Sequence, residues 1–374
     1  MKHLRNVLVI LLSLIIATAL PLTAGGCAPE TSDEVPRTVK IGILKYRTDD
    51  TFIDNVCEWA LKEAKKIETE TGDKLIVNIQ SAQNNQNLQN DQVERMIQQE
   101  YDIICVNPVD RTMASGIINK ARRADVPVIF FNREPVKEDM TIWEHAYYIG
   151  TDAKESGRLQ GELFAQFVKM GKIRPNTEGE INFVIIEGEP NHQDTLLRSE
   201  YSVREAAELT GIPLRKLDGT NANWERGQSE MKMSQWIDRY GDRIEVVLAN
   251  NDEMAIGAVQ AYENRGVPLM ARPVIFGIDA TRRGMEVIAT GAMAGTVVND
   301  YREMGQSLIR LGVHLAAGET KPFPGLEGQY IRIPHFSVTS INLASTWQYL
   351  TGTKLPDDLA EQNEAIREEL TGQR

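Results

Sequence analysis

The strongest constraint on this chain is a rhythm. From Thr38 onward, short apolar runs rich in β-branched residues alternate with longer stretches whose apolar residues recur every three to four positions. "TVKIGIL", "KLIVNI", "YDIICVN" and "VPVIFF" have the length and composition of strands. "FIDNVCEWALKEAKKIE", "LQNDQVERMIQQ" and "MASGIINKARRA" between them have helical spacing. The pattern then restarts, with "EINFVIIEG", "IPLRKLDG", "IEVVLAN" and "RPVIFGID" as strands. The second set of helices is "LLRSEYSVREAAELTG", "GQSEMKMSQWIDRYG" and "DEMAIGAVQAYENRG", each closing on a glycine where a helix end favours a left-handed residue. Alternation of this kind predicts βαβ units, and two successive sets predict an α/β chain of two Rossmann-like, parallel-sheet lobes with a cleft between them.

In open parallel sheets, ligands bind beyond the carboxyl ends of the strands. Asp50 and Phe52, Asn132, His192 and Asp194, Asn251, Asp279 and Asn299 all follow predicted strands. A lone Asn or Asp at such a position is more often a helix cap. Six strand ends in one chain weaken a pure capping account. "HQDTLLR" adds Arg198 to His192 and Asp194, and Trp224 stands with Phe52 as an aromatic residue in an otherwise polar loop. Asp194 and Arg198 also have the spacing of an i,i+4 surface pair, so a structural role stays open for them.

The chemistry of this set suits a polyol. Sugar hydroxyls both donate and accept, and carboxylates, amides and a guanidinium can satisfy them. Flat rings can cover the apolar C–H faces of a pyranose. Catalysis fits less well: GxSxG, HExxH, P-loop and GxGxxG patterns are absent, and Arg198 one turn beyond Asp194 opposes a metal at "HQD". The net charge is −12 without a basic block, which argues against nucleic acid.

The first residues have the form of an export leader. Lys2 and Arg5 precede a mostly apolar run from Val7 to Leu20, which falls short of the roughly 20 residues a membrane span needs. "AGGC" resembles a lipobox, which would make residues 1–26 a lipoprotein signal peptide and Cys27 the lipidated first residue. Cleavage after Ala24 is the alternative. The polar, acidic stretch 27–37 then serves as a tether. Cys57 and Cys105 are expected as free thiols, since Cys105 lies in a strand and Cys57 on a helix.

At "KYRTDDTF", "QNNQNLQNDQ", "VPVIFFNREP", "AYYIGTDAKESG", "GEPNHQDTLLR", "VVLANNDEMAIGAV", "FGID" and "GTVVND" the chain resembles the periplasmic galactose/glucose receptors of ABC importers, which are type 1 periplasmic binding proteins. The resemblance runs from about Val39 to Leu343. It implies a three-segment hinge near Gly150, Val298 and Ile333, with 38–150 plus 297–333 as the N-terminal lobe. Residues 151–296 plus 334–345 then form the C-terminal lobe, and 346–374 an extension. It further implies that Phe52 and Trp224 sandwich a pyranose, and that Asp50, Asn132, His192, Asp194, Arg198, Asn251, Asp279 and Asn299 bind its hydroxyls. D-glucose or D-galactose is the implied ligand, and ABC permease subunits the implied partner, for a monomer at the outer face of the cytoplasmic membrane or in the periplasm. A receptor that feeds only a chemoreceptor or sensor kinase is the alternative function.

The family also carries a calcium loop. Its matching residues here are Asn176, Glu178, Glu180 and Asn182, with Glu245 as a distant carboxylate. Arg174 occupies the place of the first ligand, which makes a calcium cofactor doubtful, and it is expected to pair with Glu178 or Glu245 instead.

Overall fold

The computed structural model describes residues 36–190 and 192–372; the leader, Cys27 and the tether as far as Val35 lie outside them. Twelve strands form among the described residues: β1 (Thr38–Lys45), β2 (Lys74–Ser81), β3 (Ile103–Val106), β4 (Val128–Phe131), β5 (Ala146–Gly150), β6 (Ile181–Glu187), β7 (Leu214–Asn221), β8 (Val246–Ala249), β9 (Val274–Phe276), β10 (Thr296–Val298), β11 (Tyr330–Arg332) and β12 (Phe336–Val338). The first sheet has the order β11-β5-β4-β3-β1-β2, with every pairing parallel. A second parallel sheet has the order β7-β6-β8-β9. Isolated bridges from Phe276 to Gly295 and from Asp279 to Val298 extend it to β10, whose other edge pairs antiparallel with β12.

Both halves therefore repeat one doubly wound order, in which the first strand lies inside the second and connections run to either side of it. The repeat explains why the hydrophobic rhythm restarts. The central strands β3, β4, β5 and β8 are buried along their whole length, while the edge strands β2 and β7 are half-exposed. Helices end as the glycines require: Gly211 and Gly266 have φ of 64° and 65°.

The chain passes from one sheet to the other three times, after β5, after β10 and after β11. Residues 297 and 298, assigned by sequence to the first lobe, lie on the second sheet, because β10 takes its hydrogen bonds from β12 and β9 rather than from β5. Helix Tyr301–Ala316 then packs on helix Thr51–Thr71 of the first half, where a Cβ at Gly305 would stand 2.3 Å from the Val56 carbonyl oxygen. The C-terminal stretch folds back as helices Leu343–Thr351 and Asp357–Thr371. Trp59 donates to the Leu350 carbonyl and Asn363 to that of Ser340. Among the described residues no helix is long and apolar enough to cross a membrane. Cys57 and Cys105 are both free and buried.

Candidate ligand-binding site

The ten residues singled out from the sequence line one cavity. Strand ends deliver them from both halves. Asp50, Phe52 and Asn132 follow β1 and β4 of the first sheet, while His192, Asp194, Arg198, Trp224, Asn251 and Asp279 follow β6, β7, β8 and β9 of the second. Asn299 sits on the crossing after β10.

Capping a helix and lining the cavity are not alternatives here. Asp50 caps helix Thr51–Thr71 by accepting from the Ile53 N–H at 3.0 Å. Asn251 caps helix Asp252–Asn264 by accepting from Met254 at 3.0 Å. His192 caps helix Gln193–Thr210 through Nδ1, which accepts from the Asp194 N–H at 3.1 Å and leaves the proton on Nε2. In each case one atom is spent on the helix while the residue also lines the cavity.

Arg198 is the charge centre. It is 3% exposed, donates to the Asn250 carbonyl at 2.8 Å, and lies 3.2 Å from Asp194 Oδ2 and 3.5 Å from Asp279 Oδ1. Its Nε is buried without a partner among the described residues, as native structures rarely leave a donor unless something else fills the need. Its position depends on tight helix packing: a Cβ at Gly161 on helix Ala153–Lys169 would stand 2.6 Å from the Ser202 carbonyl oxygen. Burial pushes the Asp279 carboxyl well above the usual range, and the Arg198 guanidinium works against that rise, as does the Asn299 amide donating at 3.3 Å. Burial pushes the His192 imidazole down to about 4, so it is neutral at physiological pH.

Backbone strain gathers at the same place. Asn132, Trp224 and Asp279 have φ of 58°, 66° and 119°, a region non-glycine residues seldom occupy. Asn132 is held there by Tyr148, whose hydroxyl donates to its carbonyl at 2.8 Å, and by Asn107, whose amide donates to its Oδ1 at 3.1 Å. Its own NH₂ is left without a partner among the described residues. Trp224 lies against Gly188, where a Cβ would meet the indole at 2.1 Å. Its ring meets the His192 imidazole edge-on at 5.3 Å, and Phe52 meets Tyr301 edge-on at 6.4 Å.

Three lining residues were not anticipated from the sequence: the apolar Ile53, and two polar ones, Tyr46 and Arg133. Tyr46 and Arg133 are adjacent to the singled-out loops, in "KYRTDD" and "FNREP", where other polar residues compete with them.

The proposed calcium loop is organised otherwise. Asn176 Oδ1 accepts from the Glu178 and Glu180 N–H groups at 2.9 and 3.3 Å, and Glu245 accepts from the Asn182 N–H. Arg215 bridges Glu178 and Glu180 at 3.2 and 3.0 Å. Arg174, expected to pair with Glu178 or Glu245, instead donates to the Gly171 carbonyl at 3.0 Å and makes no ion pair among the described residues. A guanidinium already satisfies two of the carboxylates, and the set does not fit a cation that wants six to eight oxygens. No group of three or more metal-ligating side chains assembles elsewhere among the described residues.

Comparison with known proteins follows the same lines. A family model described as periplasmic binding protein domain matches residues 41–320. The D-galactose/methyl-galactoside binding periplasmic protein of Haemophilus influenzae is 36% identical over 312 residues, 81% of this chain and 90% of its own. A putative rhizopine-binding protein of Rhizobium meliloti is 31% identical over 276 residues, 73% of this chain and 83% of its own. Among solved structures, an ABC transporter solute binding protein from Bacillus halodurans with bound myo-inositol matches at TM-score 0.68 and 29% identity, covering 84% of this chain and 99% of that one.

Proposed function

We propose, for a chain that belongs to the periplasmic binding protein domain family, that it is an exported receptor which binds D-galactose or D-glucose between its lobes and presents the sugar to an ABC importer. The observation that carries this reading is the cavity itself: two polar strand-end sets from opposite sheets, each with carboxylate and amide groups, converge with Phe52 and Trp224 on one space. The similarity to a galactose receptor of Haemophilus influenzae, over most of both chains, supports a hexose.

The mechanism follows from where the contacts originate. A ligand shifts an open–closed equilibrium only by its differential affinity for the two states, so both lobes must touch it. Asp50, Phe52 and Asn132 from the first lobe and Arg198, Asn251 and Asp279 from the second meet that condition. The three crossings after β5, β10 and β11 act as the hinge. No step requires proton transfer: His192 is neutral and serves as a donor through Nε2. Cys27, in the lipobox-like "AGGC", anchors the receptor to the outer face of the membrane.

Calorimetry of the mature, unlipidated protein tests the ligand. Glucose or galactose is expected to bind at least tenfold more tightly than ribose, xylose or myo-inositol, the last being the ligand of the Bacillus halodurans neighbour. Preference for myo-inositol would replace the hexose with a cyclitol. Absence of heat or thermal stabilisation with every polyol would end the reading.

A further inference from the structure

Outside the singled-out set, a cluster of charge spans the two halves. Arg133 follows β4 of the first sheet and is 7% exposed. Its Nη2 donates to Glu189 Oε2 at 2.8 Å, and Glu189 follows β6 of the second sheet. Its Nη1 is tied to its own half by the Val109 carbonyl at 3.1 Å. Arg47, after β1, reaches the same region: it lies 3.9 Å from Glu189 Oε1 and 3.5 Å from Glu225 Oε1, and donates to the Asn223 carbonyl at 3.3 Å.

Tyr46 joins this cluster to the cavity. The Arg133 guanidinium lies over its ring at 3.6 Å, and its hydroxyl donates to Asp50 Oδ2 at 2.6 Å. The phenol is held protonated by burial and by the neighbouring Asp50 charge, so the hydroxyl stays a donor. Asp50 is thereby fixed by a cap on one oxygen and a phenol on the other.

We infer that Arg133 and Glu189 form an interlobe latch that sets the closed fraction of the unliganded receptor, and that Tyr46 positions Asp50 for the ligand within the first lobe. The inference rests on the sugar-binding reading above for its ligand but not for its geometry. Glu189 does not line the cavity, so it acts on binding through closure and through Arg133, which does line it, and the radius of the unliganded receptor separates the two. When a site forms in the closed state alone, the apparent dissociation constant is the intrinsic one divided by the closed fraction. A charge-assisted bond in a partly desolvated interface is strong enough to move that fraction by one to two orders of magnitude. The latch forms only after the lobes approach, so its loss acts on release rather than on encounter.

Glu189→Gln separates this role from a merely structural one. The variant is expected to bind galactose or glucose about 10- to 100-fold more weakly, with the loss carried by the dissociation rate in stopped-flow fluorescence, and with the rank order of sugars unchanged. Small-angle scattering of the unliganded variant is expected to give a larger radius of gyration than the parent, at an unchanged unfolding midpoint. Tyr46→Phe, which keeps the ring under Arg133 and loses only the bond to Asp50, is expected to weaken binding without changing that radius. A dissociation rate within twofold of the parent for Glu189→Gln overturns the latch. Should the parent bind no sugar at all, the ligand reading fails separately, and equal radii for parent and Glu189→Gln still overturn the latch.

Discussion

Arg198→Met is the substitution that most directly probes how the cavity is held. Methionine keeps much of the buried volume and removes the guanidinium, so the change isolates charge. Arg198 is 3% exposed and stands between Asp194 and Asp279, the latter 4% exposed. Breaking a buried pair by removing one partner costs about 3–5 kcal/mol, because the remaining charge is stranded. The lost bond to the Asn250 carbonyl adds about 1 kcal/mol. In a protein of this size that lowers the unfolding midpoint by roughly 6–8 °C. The cost must also depend on pH. Burial raises the Asp279 carboxyl, and Arg198 opposes that rise, so the variant's carboxyl goes higher still. The folded state then binds a proton that the unfolded chain releases, and stability falls as pH rises. Urea unfolding at pH 5 and pH 8 measures this: the deficit relative to the parent is expected to be larger at pH 8. Adding Asp279→Asn, which removes the stranded charge, is expected to recover more than half of it. A deficit below about 1 kcal/mol at both pH values, or a double variant no better than the single one, refutes the buried-pair account.

Gly188→Ala places a methyl group where the Trp224 indole now lies, 2.1 Å from its nearest atom, so sugar affinity in calorimetry is expected to fall at least tenfold while the circular dichroism spectrum is unchanged. With the His192 imidazole pushed down to about 4, its protonation contributes nothing to binding between pH 5.5 and 8, and affinity is expected to be flat there. The same group stays neutral in the fold while the unfolded chain takes up a proton below about 6.5, so its contribution to stability is lost as pH falls from about 6.5 towards 4. A chelator is expected to leave the unfolding midpoint unchanged, because Arg215 already bridges Glu178 and Glu180; a drop of several degrees on chelation would show a bound cation.

The architecture was legible because its signal is redundant. Strands such as β1, β3, β4, β6 and β8 are apolar runs rich in β-branched residues, the helices between them keep a helical period, and the rhythm occurs twice, so a weak strand such as β7, "LRKLDGTN", does not decide the fold. What the rhythm could not supply was edge identity. Strand β10 is three residues long, and "TVV" carries no mark of which sheet will take it; only its bridges to β9 and β12 place residues 297 and 298 in the second half. The cavity was legible for a related reason: parallel sheets present their ligand groups at strand ends, and polar residues there stand out against apolar strands. Tyr46 and Arg133 escaped because a tyrosine and an arginine beside a strand end are ordinary surface residues until the fold brings Glu189 across to them. Arg215 escaped for the same reason: it is distant in sequence from the two glutamates it bridges.

The dual use of Asp50, His192 and Asn251 has a physical consequence for recognition. A capping side chain has one acceptor committed to a backbone N–H, which fixes its rotamer before a ligand arrives. Asn132, Trp224 and Asp279 are fixed differently, by backbone conformations that the surrounding bonds over-determine. Both devices move the entropy of ordering the contacts from the binding step to the folding step, where the burial of two sheets offsets it. The polar groups on each lobe are thus set in place while the lobes are apart, and closure has only to bring two prepared surfaces together. On the proposed receptor function, free energy gained at the cavity is then available to move the hinge rather than being consumed in arranging side chains.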